Sequence, residues 1–217
     1  GGEGHYRAIR TAEVNANGKL PVYGITLDGR GRPGLVTADV SIQGGKVLSF
    51  LNSRPIGEEK IDKARAEEEA KAFLEERGFK GLEKTYTATE NKIHLIVFAV
   101  KERNIRLYPD QIKVQVALDD GEIIGFDGMM YYQNHHQREL PEPELSRKEA
   151  MEKLSPELTV KSSRLALIPL SGNKEVLTYE FLAEYQGEDY LIYINTQTGE
   201  EENILKLVLV PEGELVI

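Results

Sequence analysis

The chain has no cysteine and no tryptophan. Without cysteine there is no disulfide, no thiolate zinc site and no cysteine nucleophile. No apolar run approaches the roughly 18 residues that a membrane-crossing helix needs. No secretory signal pattern is visible, and Gly1-Gly2 reads as an artificial boundary, so a natural N-terminal segment is expected to be missing. No G-x-S-x-G, P-loop, H-E-x-x-H or dinucleotide fingerprint occurs in the 217 residues. Positive charge is in deficit, with 27 Lys and Arg against 36 Asp and Glu, a formal net charge of −9. Such a chain is repelled by nucleic acid and anionic lipid, so the expected partner is neither; a basic protein surface suits it better.

What is present is enough apolar material for a core, 40% of the chain, with aromatics drawn mostly from ten tyrosines. A repeat is visible within it. Ala38–Leu48, Val114–Ile124 and Tyr190–Glu200 each read as an alternating strand running into a tight turn. Val40, Val116 and Ile192 recur at intervals of 76 residues, while the turn glycine holds register from Gly45 to Gly121 and falls two residues late at Gly199. Glycine supplies the positive φ that such turns need. In the middle copy Ile112, Val114, Val116 and Leu118 point to one face, and Lys113, Gln115 and Ala117 to the other.

An earlier strand belongs to each copy. Leu177, Tyr179, Phe181, Ala183 and Tyr185 alternate with Thr178, Glu180, Leu182 and Glu184 in the third. Ile93–Lys101 is apolar on both faces in the second, which predicts a central strand. Val22–Leu27 takes this part in the first. A helix precedes the strands twice. Glu58–Arg77 places Ile61, Ala66, Ala70, Phe73 and Leu74 on one stripe, and Gly78 ends it, with Phe79 packing back. Ser146-Arg147-Lys148-Glu149 is a capping box, with Leu145 and Ala150 as its staple and Pro156 as its stop. His5–Val14 matches a helix poorly, so the first copy's helix is expected to be truncated, reshaped or absent. Linkers fall at Arg54-Pro55-Ile56-Gly57 and at Glu139–Pro143. Met129-Met130-Tyr131-Tyr132 reads as a continuation of the second copy's last strand.

The order helix, strand, strand, turn, strand, closing on Tyr193-Ile194-Asn195-Thr196-Gln197-Thr198-Gly199-Glu200, resembles the PepSY module. The stretch Arg106–Asp127 resembles the C-terminal region of the YpeB family of spore germination proteins. That resemblance implies an α+β fold of three tandem PepSY-like units, each a short antiparallel sheet and two of them with a packed helix. The units are expected at 1–56, 57–138 and 139–217. It implies an upstream membrane-anchored region and a place in the bacterial spore, at the outer face of the inner membrane or in the cortex. This fragment itself is expected to touch no membrane. It implies a partner, the cortex-lytic enzyme SleB, and a non-enzymatic part in localising, stabilising or restraining it for germination. PepSY modules are also associated with restraint of secreted peptidases, which makes a peptidase-inhibitory domain the first alternative. A peptidoglycan-active enzyme is the second, because the spacing of paired acids is invisible in sequence.

Residues that could carry chemistry mostly have a structural reading. Gly29–Gly34 is glycine-rich and basic but opens no helix, so it is a hairpin loop and not a phosphate cradle. His135-His136 lacks second-ligand spacing for a metal and reads as solvated linker. Asp119-Asp120-Gly121-Glu122 lacks the alternation of a calcium loop; its acids should bond their own turn. Glu67–Glu69 and Glu75-Glu76 form a solvated helix face that could also dock a basic partner. No cofactor and no metal is expected. Partner contact is assigned to Tyr131, Tyr132, His135, His136 and Arg138, where the second unit hands over to the third. Tyrosine offers an apolar ring and a polar tip there. An open edge strand, or an acidic tyrosine-bearing surface, would make the contact.

Overall fold

In the computed structural model, residues 6–14, 20–29, 33–210 and 213–216 are described. They form strands β1 (Tyr6–Val14), β2 (Val22–Gly29), β3 (Leu35–Ser41) and β4 (Val47–Asn52), then helix α1 (Lys63–Glu76). Strands β5 (Leu82–Glu90), β6 (Ile93–Glu102), β7 (Ile105–Ala117) and β8 (Ile123–Asp127) lead to helices α2 (Met129–Asn134) and α3 (Arg147–Met151). The chain finishes with β9 (Thr159–Pro169), β10 (Glu175–Tyr185), β11 (Glu188–Asn195), β12 (Glu201–Val210) and β13 (Gly213–Val216). The class is α+β, rich in sheet and poor in helix. Among the described residues no helix is long and apolar enough to cross a membrane.

Two compact units divide the chain. One takes residues 1–80, 89–98 and 111–135; the other takes 81–88, 99–110 and 136–217. In the first, β1 to β4 form an antiparallel meander, and β4 pairs onward with β8, which pairs with β7. In the second, β9 to β13 run antiparallel in sequence order, and β9 also pairs in parallel with β7 at Ile105–Leu107.

Helix α1 covers the first unit with the expected stripe: Ala66, Ala70, Phe73 and Leu74 are buried. It starts later than Glu58 because the preceding segment is already tied down. The N–H groups of Lys60 and Ile61 both donate to the Leu118 carbonyl. Asp62 then caps the helix, accepting from the Arg65 N–H at 2.8 Å. Gly78, at φ +83°, ends it, and the Phe79 N–H donates back to Leu74. The capping box of α3 forms in both directions between Ser146 and Glu149. Ala150 on α3 packs under Phe181, Ile192 and Ile194.

One open reading is decided and two are corrected. Tyr6–Val14 is strand β1, set antiparallel to β2 from Tyr6 opposite Gly29 to Val14 opposite Val22. β-Branched residues at 11 and 14 give this run strand propensity in the sequence. Met129–Asn134 is helix α2 and no strand. The Gly128 N–H donates to Leu48, and the Asp127 carboxylate accepts from the Met129 N–H, so β8 stops and a turn of helix begins. The repeat has a different phase in the third copy. Ser41, Ala117 and Asn195 each donate a backbone bond across the turn, to Lys46, Glu122 and Glu200. A bulge precedes each, at Asp39/Val40, Gln115/Val116 and Tyr193/Ile194. The third hairpin is therefore displaced as a whole by two residues, and Ile194, not Ile192, stands where Val116 stands. Of the Gly29–Gly34 loop, Arg30–Arg32 lie outside the described residues, as do Gly1–His5.

Candidate functional site

Strands β4 and β8 place Phe50 directly opposite Phe126. Helix α1 adds Phe73, whose ring centroid lies 6.1 Å from Phe50 and 5.7 Å from Phe126. Past the Gly78 stop, Phe79 joins at 6.0 Å from Phe126. Gly128 then turns the chain so that α2 can approach. A Cβ at Gly128 would lie 2.7 Å from the Phe126 ring and 3.2 Å from that of Tyr132, so glycine is needed for these rings to come together. Helix α2 delivers Tyr131 edge-on to Phe79 at 5.1 Å and Tyr132 at 6.0 Å. The exposed His135 ring stacks on Tyr131 at 4.4 Å and 14°.

These rings border a cleft of about 550 Å³, with Phe50, Phe79, Phe126, Tyr131 and Tyr132 in its lining. Two further segments complete it: Lys46 and Val47 from the start of β4, and Arg77 and Gly78 from the end of α1. The Lys46 ammonium sits 5.8 Å from the Tyr132 ring centre. The Arg77 guanidinium carbon lies 3.5 Å from the Phe73 ring centre, and its Nη1–H donates to the Phe73 carbonyl. Burial lowers the Arg77 pKa and raises that of the Tyr132 phenol. The tyrosine-bearing surface is thus bordered by cations, contrary to the acidic surface expected from net charge.

The five residues singled out in the sequence do not share one environment. Tyr131, Tyr132 and His135 belong to the aromatic cluster of the first unit. His136 and Arg138 belong to the second. His136 is exposed, but Arg138 is buried and makes two forked ion pairs. Its guanidinium donates to both Asp110 oxygens at 2.7 and 2.8 Å, and to both Glu175 oxygens at 2.7 and 2.8 Å. Those bonds, from Glu175 first, raise its pKa above the ordinary guanidinium value. A buried and doubly paired arginine shapes the fold; its head group is not presented to a partner.

Two other polar centres escaped the sequence reading. In the first unit, Arg54 reaches from its linker to Asp119, Asp120 and Glu122 at 2.6 to 2.9 Å, and Asp119 also accepts from the Gly57 N–H. Asp120 does bond its own turn, through the Glu122 N–H. In the second unit, Glu180 is 2% exposed although it points away from the predicted apolar stripe of β10. It accepts from the Tyr108 hydroxyl at 2.5 Å and from Arg164 Nε at 3.1 Å, with Arg106 Nη1 at 3.9 Å. A mid-strand Glu beside Thr178, also buried, was the available signal. Among the described residues there is a hydroxyl–imidazole–carboxylate series: Thr89 Oγ1 is 2.7 Å from His94 Nδ1, and His94 Nε2 is 3.7 Å from Glu67. His94 is 1% exposed, which keeps substrate from it.

Residues 2–141 match a family described as YpeB sporulation, PepSY1 and PepSY2 domains. The chain is similar to sporulation protein YpeB of Halalkalibacterium halodurans, 41% identical over 87% of this chain and 42% of that protein. It is 33% identical to sporulation protein YpeB of Bacillus subtilis over 92% of this chain and 45% of that one. The chain thus spans less than half the length of these curated relatives. Among solved structures, the Bacillus megaterium YpeB C-terminal domain superposes with a TM-score of 0.81 at 30% identity, covering 95% of this chain and 91% of that one.

Proposed function

We infer, from the premise that this chain belongs to the YpeB sporulation family, that it is a non-enzymatic binding module for a spore cortex-lytic enzyme of the SleB type. In this reading it localises, stabilises or restrains that enzyme in the spore, tethered through a region of the full-length protein outside this chain. The observation that carries the reading is the tyrosine-lined cleft of the first unit. Phe73, Phe79 and Phe126 are buried beneath it, while the half-buried rings of Tyr131 and Tyr132 line its opening, and docking surfaces are rich in tyrosine of this kind. His135 belongs to the same cleft through its stacking on Tyr131; His136 and Arg138, also assigned to the contact from sequence, lie in the second unit.

Three PepSY-like units, at 1–56, 57–138 and 139–217, fit this role. Their support is the shared turn of the three hairpins, and the family match, which names two PepSY domains within residues 2–141. Helix α1 backs the second unit and α3 the third, with a strand at the corresponding place in the first.

The test is a binding titration of purified cortex-lytic enzyme against this chain and against the double variant Tyr131→Ala, Tyr132→Ala. Removal of two contact aromatics is expected to weaken binding by about a hundredfold. No binding by the unaltered chain at micromolar concentration sinks the reading. Lysis of cortex peptidoglycan by the chain alone replaces it with an enzymatic one.

A further inference from the structure

The cleft beside α2 has a chemistry that narrows what can occupy it. Its lining is aromatic, so it favours an apolar side chain. Val47, at the edge, is 45% exposed and extends that apolar surface outward. The charges at its border are both positive, in a chain whose net charge is −9. Several described arginines are held by carboxylates: Arg54 by three, Arg138 by two, and Arg65, Arg106 and Arg164 each by at least one. Arg77 is different. Its guanidinium lies on the Phe73 ring, and among the described residues neither it nor Lys46 has a carboxylate within ion-pair distance. Glu76, next in sequence, acts on Arg77 only through its field.

We infer that this cleft accepts an acidic peptide segment of a partner protein, with an aromatic or branched aliphatic side chain among the rings and flanking carboxylates on Lys46 and Arg77. The inference rests on the binding reading above and specifies its partner chemistry. Carboxylate against guanidinium and ammonium supplies charge-assisted bonds at the border. The ring-lined interior supplies the buried anchor that interface energy concentrates on. A basic segment, which the net charge alone would favour, meets like charge at this place.

The probe is a fluorescein-labelled hexapeptide that alternates glutamate with phenylalanine and leucine, titrated by anisotropy. A second hexapeptide carries lysine in place of each glutamate. The acidic peptide is expected to bind with a Kd on the order of 100 μM at low salt, and the lysine peptide far more weakly. Lys46→Glu and Arg77→Glu are each expected to weaken the acidic peptide about tenfold. Lys46 is exposed, so Lys46→Glu should fold; Arg77 packs on Phe73, so a thermal melt checks Arg77→Glu and Lys46→Glu keeps the test open if that variant is destabilised. Amide shifts on titration should centre on residues 46–47, 77–79 and 126–132. No binding up to about 1 mM overturns the inference. Equal binding of the two peptides, or no effect of either reversal, does so too. A concentration-dependent dimer that both reversals dissolve would assign the cleft to a second copy instead. The same variants are titrated with the cortex-lytic enzyme. Enzyme binding that survives both reversals removes the cleft as its docking site while leaving the functional reading intact. Peptide binding without any enzyme binding does the reverse.

Discussion

In the first compact unit Phe50, Phe73, Phe79 and Phe126 meet one another and then two tyrosines, and the ring cluster opens to the surface. In the second, Tyr108 and Tyr193 lie 6.2 Å apart beside the buried Glu180, whose charge is shared with Arg106 and Arg164. The same residue type has opposite uses. Tyrosine in the first unit offers its ring to an opening, and tyrosine in the second uses its hydroxyl to satisfy an interior carboxylate. The difference teaches where substitution should damage the fold and where it should damage recognition. A buried ion pair that loses one member leaves an uncompensated charge. An aromatic surface that loses a border cation keeps its packing.

Glu180→Ala should show the largest loss, about 3–5 kcal/mol by chemical denaturation, because Arg106 and Tyr108 stay buried without it. A loss below about 1 kcal/mol would mean that the network is solvated and the contrast between units is weak. The same network has an alkaline signature. The Tyr108 phenol is pushed up to about 12, by burial first and then by Glu180. A pKa raised on folding gives stability that is complete below the ordinary phenol value of about 10 and is lost as pH rises through the folded value. Burial also raises Tyr132, Tyr179 and Tyr193, so absorbance titration near the phenolate band should show several late tyrosines, and one fewer in Tyr108→Phe.

Asp119→Asn comes next, with an expected loss of about 2 kcal/mol for a charge-assisted contact to Arg54. The Arg54 guanidinium holds this carboxyl well below the usual carboxylate range, with help from the Gly57 N–H. A lowered pKa gives stability that is present above about pH 4 and lost as pH falls further toward the folded value. Acid denaturation of the variant should be shallower than that of the unaltered chain; identical acid curves would remove Asp119 from the account. Gly128→Ala should cost about 1–2 kcal/mol through overlap with the Phe126 ring, and should also displace Tyr132. Unchanged stability and unchanged α2 amide shifts would show that the ring moves freely. Lys46→Glu should lie within about 0.5 kcal/mol of the parent while its peptide affinity falls. A large stability loss there would erase the distinction between structural and recognition surfaces.

Much of the fold was legible because its signals are local. The stripe of α1, the Gly78 stop, the capping box of Ser146 and Glu149, and the doubly apolar β6 all follow from short-range spacing. The turns at Gly121 and Gly199 were legible for the same reason. What stayed hidden depends on partners distant in sequence. Tyr6–Val14 has too little periodicity to declare itself, and β2 decides its state. Met129–Tyr132 has the residues of a strand, but Gly128 is held by Leu48 and no neighbouring strand receives it. The two-residue displacement of the third hairpin becomes visible only in its cross-turn bonds. For the site, tyrosines at 131 and 132 were a fair signal, since they stand beside a glycine-ended strand. Lys46, Arg77 and Phe79 come from three separate segments, and no spacing links them to α2. Arg138 looked like a surface charge in a linker because Asp110 and Glu175 are far from it along the chain.

The two compact units take their residues alternately, so the chain passes between them five times, the last on reaching residue 136. This fixes what can happen as the polypeptide leaves the ribosome. The first unit cannot close until residue 135 has emerged, because β7 and β8 supply its inner strands. The second holds residues 81–88 and 99–110 in waiting until the final strands are made. No single cut yields two self-sufficient halves. A shortened gene product ending near residue 140 would carry a finished first unit and two orphaned segments of the second, a natural target for quality-control proteases.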